Sequence, residues 1–211
     1  MKRYIRSDDE FLAYGDGDTR LHLADDPNTD PTILGELAKD YTSNYIRWRV
    51  ACNPNTPVDA LKRLARDGDD SVRAGVAYNI STPVDILNQL AKDRYMHVQS
   101  NVATNPNATS ETMDILALSN PDWQTCQDIA ENPNTTTETL DYLSTLTPNQ
   151  HLFEFYKKII TNPNASLQAL TNILDTRDGE WLITNYTDRS DILDVIAQRK
   201  QAKRDKRRKK A

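Results

Sequence analysis

The stretch VACNPNTPVDALKRLARD, Val50–Asp67, decides the fold, because VAYNISTPVDILNQLAKD, Val76–Asp93, repeats its skeleton 26 residues later. Self-similarity at such a period marks a chain built from stacked units. With the asparagine of each stretch as anchor, the register extends to Asp26, Asn53, Asn79, Asn105, Asn132, Asn162 and Asn185, at spacings of 23 to 30 residues. Three residues before the anchor stand Leu23, Val50, Val76, Val102, Ile129, Ile159 and Leu182, an apolar column without exception.

Eight residues after the anchor come Leu34, Leu61, Leu87, Met113, Leu140, Leu170 and Leu193, and eleven after it Leu37, Leu64, Leu90, Leu116, Leu143, Ile173 and Ile196. The next position is alanine at Ala38, Ala65, Ala91, Ala117 and Ala197. Offsets of three and four place these columns on one face of an amphipathic helix. Thr56-Pro57-Val58-Asp59 and Thr82-Pro83-Val84-Asp85 predict its start, with the hydroxyl at the N-cap, proline in the first turn and the carboxylate at the third position, in the manner of a capping box. A second helix precedes the anchor, where Ile46 and Val50, Val72 and Val76, and Val98 and Val102 are spaced by four. Asn-Pro then ends it, since a residue before proline is driven out of the helical region. A helix pair this small cannot bury its own apolar face, so neighbouring pairs must stack into a continuous core.

The phrases Val72-Arg73-Ala74-Gly75-Val76-Ala77-Tyr78-Asn79 and Asn53-Pro54-Asn55-Thr56-Pro57-Val58-Asp59-Ala60-Leu61 resemble the leucine-rich repeat variant, or LRV, family. The resemblance covers about Thr19 to Gln198; it is closest in the second to fourth repeats and looser in the fifth to seventh, where linkers lengthen and Tyr186 replaces the proline. It implies a right-handed superhelix of alternating short 3₁₀-like and longer α helices. The expected fold is therefore an all-α, right-handed α-solenoid of about seven helical repeats of 23 to 30 residues. The founding type of the family carries a cysteine-rich iron–sulfur segment ahead of its repeats. No cysteine precedes Cys52 here, so no cofactor is carried over.

Composition agrees with a polar, thin-cored chain: 211 residues, 37% hydrophobic and 27% charged, with a mean hydropathy of -0.72. No run approaches the roughly 18 to 20 apolar residues of a membrane helix, and the start, MKRYIRSDDE, lacks the apolar segment of a secretion signal. A cytoplasmic, monomeric protein is expected. Cys52 and Cys126 lie far apart with no ligand-like neighbours, which points to two small buried residues rather than a metal site or disulfide. The net charge of -5 conceals a split, with +8 over Arg199–Ala211 and -13 over the rest. The reading of domains is a cap over 1–18, the repeats over 19–198 and a basic, disordered tail over 199–211.

Six positions before the anchor stand Arg20, Arg47, Arg73 and then Gln99, so stacking forms a ladder with rungs about 8 to 10 Å apart. Such a ladder suits phosphates or an acidic partner. The competing reading pairs each arginine with an acid from the loop after a leucine helix, Asp40, Asp67 or Asp93. Tyr45, Trp48, Tyr78, Tyr95 and Trp123 fall near the same positions, and with Arg49 they supply the aromatic and arginine anchors usual at binding surfaces. The candidate partner-binding set is Arg20, Arg47, Trp48, Arg49, Arg73, Tyr78 and Gln99. In the tail, Lys203, Arg204, Lys206, Arg207 and Arg208 form a candidate patch for nucleic acid or anionic surfaces.

No catalytic constellation emerges. His22, His97 and His151 occupy different offsets in different repeats, and no glycine-rich phosphate loop occurs. Trp123 with Asp122 and Asp128 evokes the carboxylate-and-aromatic grooves of helical-repeat DNA glycosylases, an analogy of fold alone. The expected function is a non-catalytic scaffold that binds a macromolecule, foremost a protein. A nucleic-acid binder using the ladder and tail is the alternative, and a repeat-scaffold enzyme the third reading.

Overall fold

The computed structural model describes residues 15–119, 121–146, 152–176 and 179–186, with 190, 193, 194, 196–198 and 201. Most of the expected cap, and all five tail residues Lys203, Arg204, Lys206, Arg207 and Arg208, lie outside that set, as does His151. The chain divides into two compact units, Met1–Pro121 and Asp122–Ala211. Every bounded element among the described residues is an α-helix.

In the first unit the anchor-preceding helices are α1 (Gly17–Asp25), α3 (Asn44–Cys52), α5 (Asp70–Tyr78) and α7 (Met96–Thr104). The leucine helices are α2 (Pro31–Leu37), α4 (Val58–Leu64), α6 (Val84–Leu90) and α8 (Ser110–Leu118). α1, α3, α5 and α7 pack in succession as one layer, while α2 packs on α4 and α6 on α8 in the other. The second unit repeats the scheme with α9 (Trp123–Glu131), α11 (Leu152–Thr161) and α13 (Gly179–Tyr186) in succession, and α10 (Thr137–Ser144) against α12 (Leu167–Leu174). Consecutive packing of helix pairs is the architecture of an α-solenoid.

The columns form the core between the layers. Val50, Val76, Val102, Ile129 and Ile159 are fully buried, as are Leu34, Leu61, Leu87, Met113, Leu140 and Leu170. The seventh copy departs: Ile196 is buried, but Leu193 is 37% exposed.

Two details differ from the sequence reading. The anchor-preceding helix is a regular α-helix of nine residues in α1, α3, α5 and α7, and the leucine helix is the shorter partner, seven residues in α2, α4 and α6. Its end tightens into i→i+3 bonds, Lys39 N–H donating to Glu36 O at 2.8 Å and Asp40 N–H to Leu37 O at 3.0 Å. The cap differs as well. Pro57 and Pro83, with ψ of 149° and 155°, are themselves the N-caps of α4 and α6 and make no side-chain cap bond. The hydroxyls of Thr56 and Thr82 instead donate back to Val50 O and Val76 O, closing the turn onto the preceding helix. A capping box forms at α8, between Thr109 and Thr112.

Candidate functional site

The arginine column sits on the anchor-preceding helices, where each side chain reaches the loop that leaves the following leucine helix. Arg20 Nε donates to Asp40 at 3.0 Å, Arg47 Nε to Asp67 at 2.6 Å and Arg73 Nε to Asp93 at 2.6 Å, each across 20 residues. The second guanidinium arm continues the chain. Arg47 Nη1 donates to Asp40 O at 2.8 Å and Arg73 Nη1 to Asp67 O at 2.7 Å. Gln99, in the fourth rung, donates from Nε2 to Asp93 O at 2.7 Å and to Ser119 Oγ at 3.2 Å. Each rung thus clamps the loop before it to the loop after it.

The electrostatics follow from this pairing. Burial acts to raise the Asp67 and Asp93 carboxyls, but the guanidinium hydrogen bond, the backbone N–H two residues on and the arginine charge together hold both below the ordinary carboxylate value. Arg47 and Arg73 are raised above the ordinary arginine value, first by the aspartate hydrogen bond. Their side chains are only 18% and 10% exposed, and Arg20 is 11% exposed. The guanidinium heads of Arg20, Arg47 and Arg73 are therefore bonded within the chain, and Gln99 is buried. The three arginines thus follow the competing reading of the column, each paired with the acid 20 residues on, and Gln99 meets Ser119 at the same distance.

The anchor asparagines build a second ladder. Asn53 Nδ2 donates to Ala24 O and Asp26 O, Asn79 Nδ2 to Ala51 O and Asn53 O, and Asn105 Nδ2 to Ala77 O and Asn79 O, at 2.7 to 3.0 Å. Asn162 makes the same pair of bonds to Ala130 O and Asn132 O in the second unit. The amide oxygen accepts from the backbone two residues on, as in Asn79 Oδ1 with Ser81 N–H at 2.8 Å. The sequence signalled this only as recurrence. Turn geometry accounts for asparagine locally, whereas its bonds reach about one repeat back along the chain.

Open aromatic surface is present on the anchor-preceding helices of the first unit. Tyr45 is 51% exposed and Tyr78 65% exposed. Half-buried Trp48 stacks beside Tyr45 with ring centroids 5.4 Å apart. Arg49 lies over Trp48, 5.2 Å from the ring centroid, and pairs with Asp25. Tyr45, Trp48, Asp69, Ser71, Ala74 and His97, with Asn44, line an open groove of about 430 Å³. Further along the same three helices, Cys52, Tyr78, Ile80, Asn101 and Thr104 help line another of about 420 Å³. Gly75 lets α5 pack closely on α3, since a Cβ there would stand 3.0 Å from Ala51 Cβ and Trp48 Cδ1. The structure thus brings Trp48 and Arg49 together, and places Tyr78 on the adjoining groove. Tyr95 lies apart from these grooves, under Arg94 and Arg73 at 4.9 and 5.5 Å from its centroid.

Cys52 and Cys126 form no disulfide, and burial pushes each thiol up to about 11. In the second unit Asp122 caps α9, accepting from Gln124 N–H at 2.8 Å, buried Asp128 accepts from Gln124 Nε2 at 3.0 Å, and Trp123 packs edge-on to Phe155 at 4.2 Å. These are roles in a helix start and a core. Among the described residues no helix is long and apolar enough to cross a membrane. Comparison with protein-family models, curated proteins and solved structures gives no match.

Proposed function

We propose that this chain is a non-catalytic, LRV-like scaffold, monomeric and cytoplasmic, that holds a protein partner on the outer face of α3, α5 and α7. The observation that supports the reading is the group of aromatic side chains, exposed Tyr45 and Tyr78 with half-buried Trp48, beside two adjacent open grooves. Rigid aromatics in a groove supply binding energy at low entropic cost. Unlike the arginines and asparagines, these rings belong to no column of the repeat, so stacking of the helices does not account for them.

Against nucleic acid as the main partner stands the internal pairing of Arg20, Arg47 and Arg73, which leaves that reading dependent on the tail. The test is affinity capture with full-length protein, residues 1–198, and a Tyr45→Ser, Tyr78→Ser variant, each with and without nuclease. A protein held by the first two after nuclease and lost from the variant supports docking on this face. Capture of nucleic acid alone, abolished by removing the tail, overturns it in favour of the nucleic-acid reading.

A further inference from the structure

The first groove combines an aromatic wall, Tyr45 and Trp48, with the carboxylate of Asp69, the N-cap of α5, while Asp70, next in the chain, meets the groove through His97. Asp69 accepts from Asn44 Nδ2 at 2.5 Å, and Asp70 faces His97 Nε2 at 2.9 Å. Neither is ion-paired with a lysine or arginine among the described residues. The cations nearby are engaged elsewhere, Arg47 with Asp67, Arg73 with Asp93 and Arg49 with Asp25. No lysine or arginine lines either groove among the described residues. Asp69 caps α5 through Ser71 N–H and Val72 N–H and feels the Arg47 charge without forming an ion pair with it; an aromatic ring next to such a carboxylate attracts a cation from both sides. Arg49 over Trp48 is an intramolecular instance of that contact.

The second groove has a different chemistry. Tyr78 and Ile80, 65% and 62% exposed, stand over Cys52 and Pro54 with no charged side chain in its lining. Measured along α5, the first groove centres near Ser71 and the second near Tyr78, so helical rise separates them by about 10 Å. A peptide in the extended polyproline-II conformation covers that distance in about three residues, at about 3.1 Å each, and its three-residue turn brings the side chain back to the same face.

We propose that this face recognises an extended basic peptide segment, with a lysine or arginine seated between Trp48 and Asp69 and an apolar side chain three positions away against Tyr78 and Ile80. The proposal rests on the docking reading above and names the chemistry of the partner. Charge complementarity selects a cationic segment over an acidic one, because an acidic peptide meets Asp69 and Asp70 with no paired cation free to receive it.

The test is selection from a random heptapeptide display library on the full chain, followed by fluorescence anisotropy with labelled synthetic copies of the enriched sequences. Enriched sequences should carry Lys or Arg with an aliphatic or aromatic residue three positions away. Asp69→Asn with Asp70→Asn, which keeps an asparagine cap on α5, should weaken binding about tenfold, as should raised salt. Ser71→Trp, which fills the groove from an exposed position, should abolish it, with thermal unfolding by circular dichroism confirming that both variants fold. Enriched peptides that lack a cation, or that bind the double variant equally well, overturn the basic-peptide proposal and leave the docking face standing. No enrichment above the Ser71→Trp variant overturns the proposal too, and the capture experiment then decides the docking reading separately.

Discussion

At the scale of single residues, the fixed columns of this chain divide into apolar ones that fill the core and polar ones that tie neighbouring repeats. Arg47 with Asp67 and Arg73 with Asp93 have a measurable signature in acid. Asp67 and Asp93 are held below the ordinary carboxylate value of 3.8 in the folded chain, so protons bind more readily when it unfolds. The stability from each pair is fully present above that value and is lost as pH falls through the lower folded pKa. Replacing both with asparagine should lower stability near pH 7 and flatten the decline as pH falls below the ordinary carboxylate value, although Asp16, Asp30 and Asp69, also held low, keep part of it. Urea midpoints at several pH values check this; an unchanged acid slope in the double variant would show that the pairs carry no proton linkage. The pairing was legible in the sequence as one of two readings, because both residues recur at a constant separation. The asparagine ladder was not, since local turn chemistry already accounts for asparagine before proline and no short motif marks a bond one repeat back.

At the scale of elements, burial followed the columns closely and boundaries did not. Leu64 and Leu90 are each 1% exposed, and replacing either by alanine should destabilise the protein by about 2 to 5 kcal/mol, read from chemical unfolding. A loss below about 0.5 kcal/mol would place them at the surface. Gly75 probes the contact of α3 with α5. Alanine is the better helix former by about 1 kcal/mol, yet its Cβ would stand 3.0 Å from Ala51 Cβ, whose position is fixed by the α3 backbone. Overpacking of this kind costs about 1 to 3 kcal/mol, so Gly75→Ala should be net destabilising. A gain in melting temperature would mean that α3 and α5 separate without penalty. Helix ends were harder to read because Thr56-Pro57 fits two starts. The threonine bonds backward to Val50 rather than forward into α4, a choice set by the preceding turn.

At the scale of the whole molecule, repetition made the all-helical architecture legible, since only stacked pairs can bury columns so spaced. The partition into two units carried no such signal: the anchor spacing of 27 residues from Asn105 to Asn132 matches that from Asp26 to Asn53. The candidate site was legible in part. Trp48, Arg49 and Tyr78 are legible as aromatics and a cation near one position of the repeat, whereas nothing in the sequence marks Asp69, which only folding sets in a groove. The account separates repeated residues that hold the stack from unrepeated ones that face outward, and adjacent Tyr78 and Asn79 test it directly, one 65% and the other 2% exposed. The measurement is the urea unfolding midpoint of the full chain for Tyr78→Ser and Asn79→Asp. Aspartate matches asparagine in size but, when ionised, cannot donate to Ala51 O and Asn53 O, so Asn79→Asp should cost about 3 kcal/mol, a midpoint lower by about 1 M. Tyr78→Ser should stay within about 0.5 kcal/mol of the parent. A stable Asn79→Asp protein, or a collapse of Tyr78→Ser, would contradict the account.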